Sequence, residues 1–207
     1  MTDDDLPFAS VEYDSRVQNV RSNMERNGID VLLVTAPENI YYLTGYHSLG
    51  YFSFQALILS LNRDPIILTR GLNVQTVAVS SWVRQIEGYN DTENPDDAVF
   101  NTLKKYGLLN QRLANQNSAW FFSVAQYEKL VSKLGVKPLD GSGLIEQVRL
   151  IKSPMEIAYI REAGRCCAAS LDAAIPAVQA GKTENDVAAA AHFGLFAAGS
   201  EYLGHAP

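Results

Sequence analysis

Cysteine is nearly absent: the 207-residue sequence has 2, adjacent at Cys166-Cys167. Neighbouring cysteines cannot build the spaced framework of a disulfide-stapled secreted domain. Long apolar runs are missing too. The longest candidate, residues 51–61, is interrupted by Ser53, Gln55 and Ser60. It falls short of the roughly 18 residues a membrane span needs, so no membrane partner is expected. Basic charge is scarce, with 17 Lys+Arg against 23 Asp+Glu and a net charge of −6. The longest basic run is Lys104-Lys105, which excludes nucleic-acid binding by bulk electrostatics. The opening MTDDD is acidic where an export leader would be basic. The expectation is a cytoplasmic, reduced chain of one large domain or one and a half. Its 47% apolar and 19% charged residues match folded protein, not disorder.

Catalytic motifs are lacking as well. The histidines His47, His192 and His205 lie far apart, and neither H-E-x-x-H nor C-x-x-C occurs. Cys166 and Cys167 fall on different sides of a helix and make a poor chelate. No G-x-S-x-G marks a serine hydrolase, and no G-x-G-x-x-G or phosphate-binding loop follows a strand. Gly141-Ser142-Gly143 reads as a turn with a helix cap. By chemistry alone the chain holds no complete active site.

What is present is a pattern of alternating elements. Apolar residues Val17, Val20 and Met24 recur at helical spacing over residues 10–27, and Asn27-Gly28 ends the run. Residues 29–34 form a short apolar run rich in β-branched residues, the mark of a buried strand. Pro37-Glu38-Asn39 opens a short helix ending at Gly45. Residues 54–61 and 65–69 flank Asn62-Arg63-Asp64, whose turn chemistry predicts a hairpin. Weaker strands are expected at 82–87, 112–115 and 136–139, with helices at 72–80, 96–106 and 124–134. This is an α/β layer with antiparallel character from the hairpin.

The character changes near residue 150. Ser153-Pro154-Met155-Glu156 carries a capping Ser, a Pro at the first helical position and a Glu at the third. The helix it opens places Ile157, Ile160, Cys167, Leu171 and Ile175 on one stripe. Thr183 and Asp186 predict a second boxed helix start. Two apolar-striped helices without a sheet to cover predict a truncated domain.

Residues 41–54 combine aromatics, glycines and small hydroxyls. Ligand-lining loops use that mixture. An aromatic mini-core closing the sheet edge uses it too, and composition favours the mini-core.

Three stretches carry a resemblance. Residues 28–46, GIDVLLVTAPENIYYLTGY, residues 149–163, RLIKSPMEIAYIREA, and residues 181–187, GKTENDV, occur in order along the chain. They resemble the creatinase, prolidase and aminopeptidase P ("pita-bread") superfamily. The loop 45–55, with Gln55, is most similar to ectoine hydrolase and creatinase relatives. The resemblance implies a ribonuclease-H-like mixed sheet with flanking helices over residues 1–148. It implies the opening helices of an incomplete pita-bread α+β domain over residues 149–207. It also implies a hydrolase cutting a C–N bond in a small amide, a dipeptide or an Xaa-Pro peptide. A divalent metal pair (Mn, Zn, Co or Fe) would activate water in the full-length parent, its ligands lying on strands beyond Pro207.

The resemblance further implies a homodimer whose N-terminal domain contributes to the neighbouring subunit's pocket. The substrate-binding candidates are Tyr51, Ser53 and His47. Ser53 stands where creatinase places an arginine, and a hydroxyl cannot grip a carboxylate bidentately. Creatine-like substrates are therefore disfavoured. Tyr51 reads equally as a pocket residue and as a structural aromatic. The alternative to a hydrolase portion is a non-catalytic binding or dimerisation module, and the isolated chain is expected to be inactive.

Overall fold

The structure, a computed structural model, describes residues 6–47 and 53–201 and divides into two compact units, 1–151 and 152–207. The first unit is organised by β1 (Val31–Val34), whose four apolar residues are all buried. A strand covered by helices on both faces has no polar face to present. Six strands form one sheet in the order β4-β3-β2-β1-β5-β6. β2 (Ala56–Ser60) runs antiparallel to both β1 and β3 (Ile66–Arg70). β4 (Gln85–Tyr89), β5 (Leu113–Asn115) and β6 (Leu139–Asp140) join by parallel pairings.

Alternation along the strands divides the interior into two cores. Leu32 and Val34 pack with Leu57, Leu59 and Ile67 beneath α1 (Ser10–Arg26), α2 (Pro37–Thr44), α3 (Val74–Ser80) and α6 (Leu144–Leu150). Val31 and Leu33 pack with Ile58, Ile66 and Leu68 beneath α4 (Pro95–Lys105) and α5 (Val124–Leu134). The result is three layers, helix, mixed sheet and helix.

Two strands differ from their expected positions, each for a local reason. β4 begins at Gln85 because the preceding residues are tied to the end of α2. The Trp82 indole donates to the Leu43 carbonyl at 2.9 Å, and Ser81 Oγ donates to the Thr44 carbonyl at 3.0 Å. β6 is only Leu139–Asp140, since Val136 follows the left-handed Gly135 that ends α5 and lies exposed. The 141–143 turn is present, but its capping position is Gly143 in the left-handed region, and Ser142 Oγ instead accepts from the Ser118 amide at 3.0 Å.

An ion pair fixes the start of the parallel β1–β5 pairing. Asp30 accepts from the Arg112 amide and Nε at 2.9 Å and from Nη2 at 2.7 Å. Hydrogen bonding from the Arg112 side chain, then from its amide, lowers the Asp30 carboxyl to about 2. A depressed folded-state value means the pairing stabilises the fold above the unfolded carboxylate value of roughly 3.9. That contribution should vanish as pH falls through about 2. A titration of the Asp30 carboxyl carbon by NMR should give that midpoint, and Asp30→Asn should remove this part of the acid sensitivity.

The second unit is a helical hairpin of α7 (Pro154–Ala174) and α8 (Glu184–Ala197). Both helices start with complete capping boxes, Ser153 with Glu156 and Thr183 with Asp186. Each box satisfies two backbone donors that would otherwise lack partners. Ser153→Ala should therefore cost about 1 kcal/mol and fray the first turn of α7, visible as faster amide exchange there. The helices approach through small residues: Gly194 lies against Ala169 and Ala173, and Ser170 Oγ donates to the Ala191 carbonyl at 2.9 Å. The expected stripe is corrected at one position. Cys166 is the buried cysteine and Cys167 is exposed, because the α8 contact face runs through Cys166 and Ser170. The large apolar residues Ile157, Ile160, Leu171, Ile175, Phe193 and Phe196 range from 38% to 76% exposed.

Candidate functional site

β1 and β3 each run antiparallel to β2, so β1, β3, β4 and β5 end at the same edge of the sheet. In open α/β sheets ligand crevices form outside the carboxyl ends of strands, where successive connections diverge. That divergence falls between the neighbours β1 and β5. The chain leaves β1 into α2 on one face and leaves β5 toward α5 on the other.

Of the residues expected to bind substrate, Ser53 lies just before β2 at this edge. Tyr51 lies outside the described residues. Ser53 is half-buried, and its Oγ accepts from Arg70 Nη1 at 3.3 Å at the end of β3. His47 is exposed, with its ring edge-on to Tyr41 at 6.0 Å between centroids. Gln55 is 4% exposed, and among the described residues its Oε1 has no hydrogen-bond partner.

Several residues here carry no local sequence signal. Arg70 grips Asp91 bidentately, Nε to Oδ1 and Nη2 to Oδ2, each at 2.7 Å. The Asp91 side-chain hydrogen bond is the main cause raising the Arg70 guanidinium above its ordinary value, and the Arg70 bond likewise holds Asp91 low. Beside them Phe54 contacts Phe122 at 5.2 Å and Tyr89 at 6.4 Å between centroids. The Tyr89 hydroxyl donates to the Phe54 carbonyl at 2.7 Å, and burial pushes the phenol up to about 12. It therefore remains a donor at neutral pH. Of this cluster only Phe54 falls in the aromatic stretch 41–54 noted in the sequence; the run Trp-Phe-Phe at 120–122 is a further aromatic signal. Phe122 is buried, whereas Trp120 is exposed and stacks on Phe121 at 4.3 Å.

On the β1–β5 side a polar network binds α6 to the sheet. Gln116 Oε1 accepts from the Thr35 and Ala36 amides at 3.2 and 3.4 Å. Asn39 Nδ2 donates to Glu146 Oε1 at 2.6 Å, and Arg149 Nη1 donates to Asn39 Oδ1 at 2.6 Å. This network joins α2 to α6, so its first role is structural.

Among the described residues no three His, Cys, Asp or Glu side chains are grouped to hold a metal ion. The described residues therefore offer no ligand set for a divalent metal pair. A cleft of about 120 Å³ lies between β4 and α4, well below the roughly 300 Å³ at which small-molecule pockets begin. Its Glu87 already accepts from Lys105 Nζ at 2.8 and 2.9 Å and from the Tyr106 hydroxyl at 2.7 Å. No helix among the described residues is long and apolar enough to cross a membrane.

A three-layer α/β/α domain with a mixed sheet, followed by a capped helical hairpin, defines the class. The chain belongs to the creatinase/prolidase N-terminal domain family, whose model matches residues 16–151. It is 32% identical to ectoine hydrolase of Halomonas elongata over 173 residues, 79% of this chain and 43% of that one. It is 30% identical to an uncharacterized hydrolase/peptidase of Sinorhizobium fredii over 209 residues, 96% of this chain and 53% of that one. Among solved structures, the Xaa-Pro dipeptidase of Bacillus anthracis matches with a TM-score of 0.74 at 20% identity, covering 91% of this chain and 50% of that chain. The prolidase of Pyrococcus horikoshii matches with a TM-score of 0.71 at 23% identity, covering 90% and 50%. The chain thus spans about half the length of the relatives it matches.

Proposed function

We propose that this chain is the N-terminal portion of a metal-dependent C–N hydrolase, contributing dimerisation and substrate-pocket residues. Its family membership carries the reading, together with alignment to about half of each hydrolase relative. The substrate is a small amide or a dipeptide, the full-length protein is a cytoplasmic homodimer, and the divalent metal pair is held elsewhere in the parent. Tyr51, Ser53 and His47 face the neighbouring subunit's pocket. The domain division is 1–148 for the creatinase-like domain and 149–207 for the start of the pita-bread domain. The contact of Ser53 with Arg70 supports a polar role for this loop. A non-catalytic binding or dimerisation module is the second reading, compatible like the first with the lack of a metal-ligand group among the described residues.

The reading frame beyond codon 207 separates the two. Strands bearing Asp, His and Glu ligands support the hydrolase reading, and a stop codon supports the module. The full-length product should then cleave ectoine or an Xaa-Pro dipeptide only with a divalent metal, while the 207-residue chain alone should be inactive. Tyr51→Ala should raise KM more than it lowers kcat, as expected for loss of a binding contact. Steady-state kinetics with both substrates measures this, and an unchanged KM removes Tyr51 from the pocket.

A further inference from the structure

We propose that Arg70 is a carboxylate-binding residue and that Asp91 fills its fork as an exchangeable placeholder for a substrate carboxylate. The geometry is that of carboxylate recognition, two parallel N–H···O bonds from one planar guanidinium to one carboxylate. The two partners are held unequally. Arg70 ends β3, is paired in register with Tyr89, and is 29% exposed at its side chain, whereas Asp91 is 65% exposed. A third contact steadies the guanidinium through Ser53 Oγ. Asp91 sits in the turn after β4 and reaches Arg70 from the solvent side. An exposed pair of this kind contributes little to stability, so opening it costs the fold little, and the entropy of association keeps binding of an external carboxylate weak.

Ser53 adjoins Phe54, whose ring meets Tyr89 and Phe122 within the buried core, so the cation is anchored at the rim of that core. The fork itself selects a carboxylate, and the partner class is a small amide or dipeptide bearing one. That substrate class rests on the hydrolase reading above, whereas carboxylate binding by Arg70 does not.

The test uses the 207-residue chain and follows the Arg70 side-chain Nε–H signal by NMR. N-acetylglycine is the probe and neutral N-acetylglycinamide the control. The wild type should show a weak, saturable shift with the acid alone. Asp91→Asn removes the competing carboxylate and should tighten binding by about tenfold, the equivalent of one charged hydrogen bond. Arg70→Lys keeps the charge, loses the fork, and should abolish the response. An Arg70 signal that ignores the acid in Asp91→Asn overturns the proposal. So does an equal response to the neutral control, or binding that survives in Arg70→Lys. None of these measurements involves hydrolysis, so a negative result leaves the hydrolase reading to its own assay.

Discussion

Replacing Gly141 by alanine should destabilise the first unit by about 1–3 kcal/mol, the usual cost of overpacking a filled core. Gly141 follows β6 and is buried, and its amide donates to the Asn115 carbonyl at 2.9 Å. A Cβ there would overlap Leu32 Cδ1 and lie 3.2 Å from the Ala114 Cβ. A flexible side-chain end could ordinarily move aside. Leu32 cannot, because it is fully buried in the central strand and packed among the α1, α2 and α6 contacts. Leu32→Ala alone should cost about 2–5 kcal/mol through lost burial and a cavity. Against a typical total of roughly 5–15 kcal/mol, either change is large. The double variant supplies the decisive number. With Leu32 shortened, the new methyl group enters the space Cδ1 vacated, so the combined loss should fall below the sum of the single losses. Urea denaturation of the four proteins gives the cycle, and strict additivity would show that the two residues do not share this space.

That contact also shows where sequence reasoning stops. β1 was legible because an uninterrupted apolar run of Val and Leu has one stable environment, a sheet covered on both faces. The α7 and α8 starts were legible because a capping box is complete within four residues. β6 was placed too early because two residues carry no periodicity, and their strand character comes from pairing with Ala114 and Asn115. The buried cysteine was assigned to position 167 for a related reason. Which side of a helix is covered depends on where the second helix lies, and α8 lies over Cys166. At the candidate site the loop residues could be named from the resemblance, whereas Arg70 and Asp91 could not. They stand 21 positions apart and meet only because β3 and β4 are parallel neighbours ending at the same edge. The Gln116, Asn39, Glu146 and Arg149 network is equally remote in sequence. Long-range polar pairing has no period, so composition and spacing could not reveal it.

The same substitution at two helical glycines of the second unit should have opposite signs. Gly164 lies within α7 with no neighbouring atom within 4 Å of a Cβ built there. Gly164→Ala should stabilise the hairpin by about 0.5–1 kcal/mol, because alanine loses less backbone freedom on entering a helix. Gly194→Ala offers that gain too, but its Cβ would lie 2.6 Å from the Ala169 carbonyl oxygen and 2.7 Å from the Ala173 Cβ. Neither neighbour is a flexible side-chain end, so relief requires the helix axes to separate. Separation stretches the Ser170–Ala191 hydrogen bond and the Cys166 Sγ contact with the Ala198 carbonyl. Within this unit those close contacts are central to the packing of α7 on α8, since most large apolar residues of both helices are exposed and only Val187 and Leu195 are half-buried. The loss should therefore outweigh the propensity gain by about 1–3 kcal/mol and concentrate in one place. Amide exchange across residues 184–197 should accelerate strongly in Gly194→Ala and slow slightly in Gly164→Ala. Equal behaviour of the two variants would mean that the small-residue contact does not hold the hairpin together.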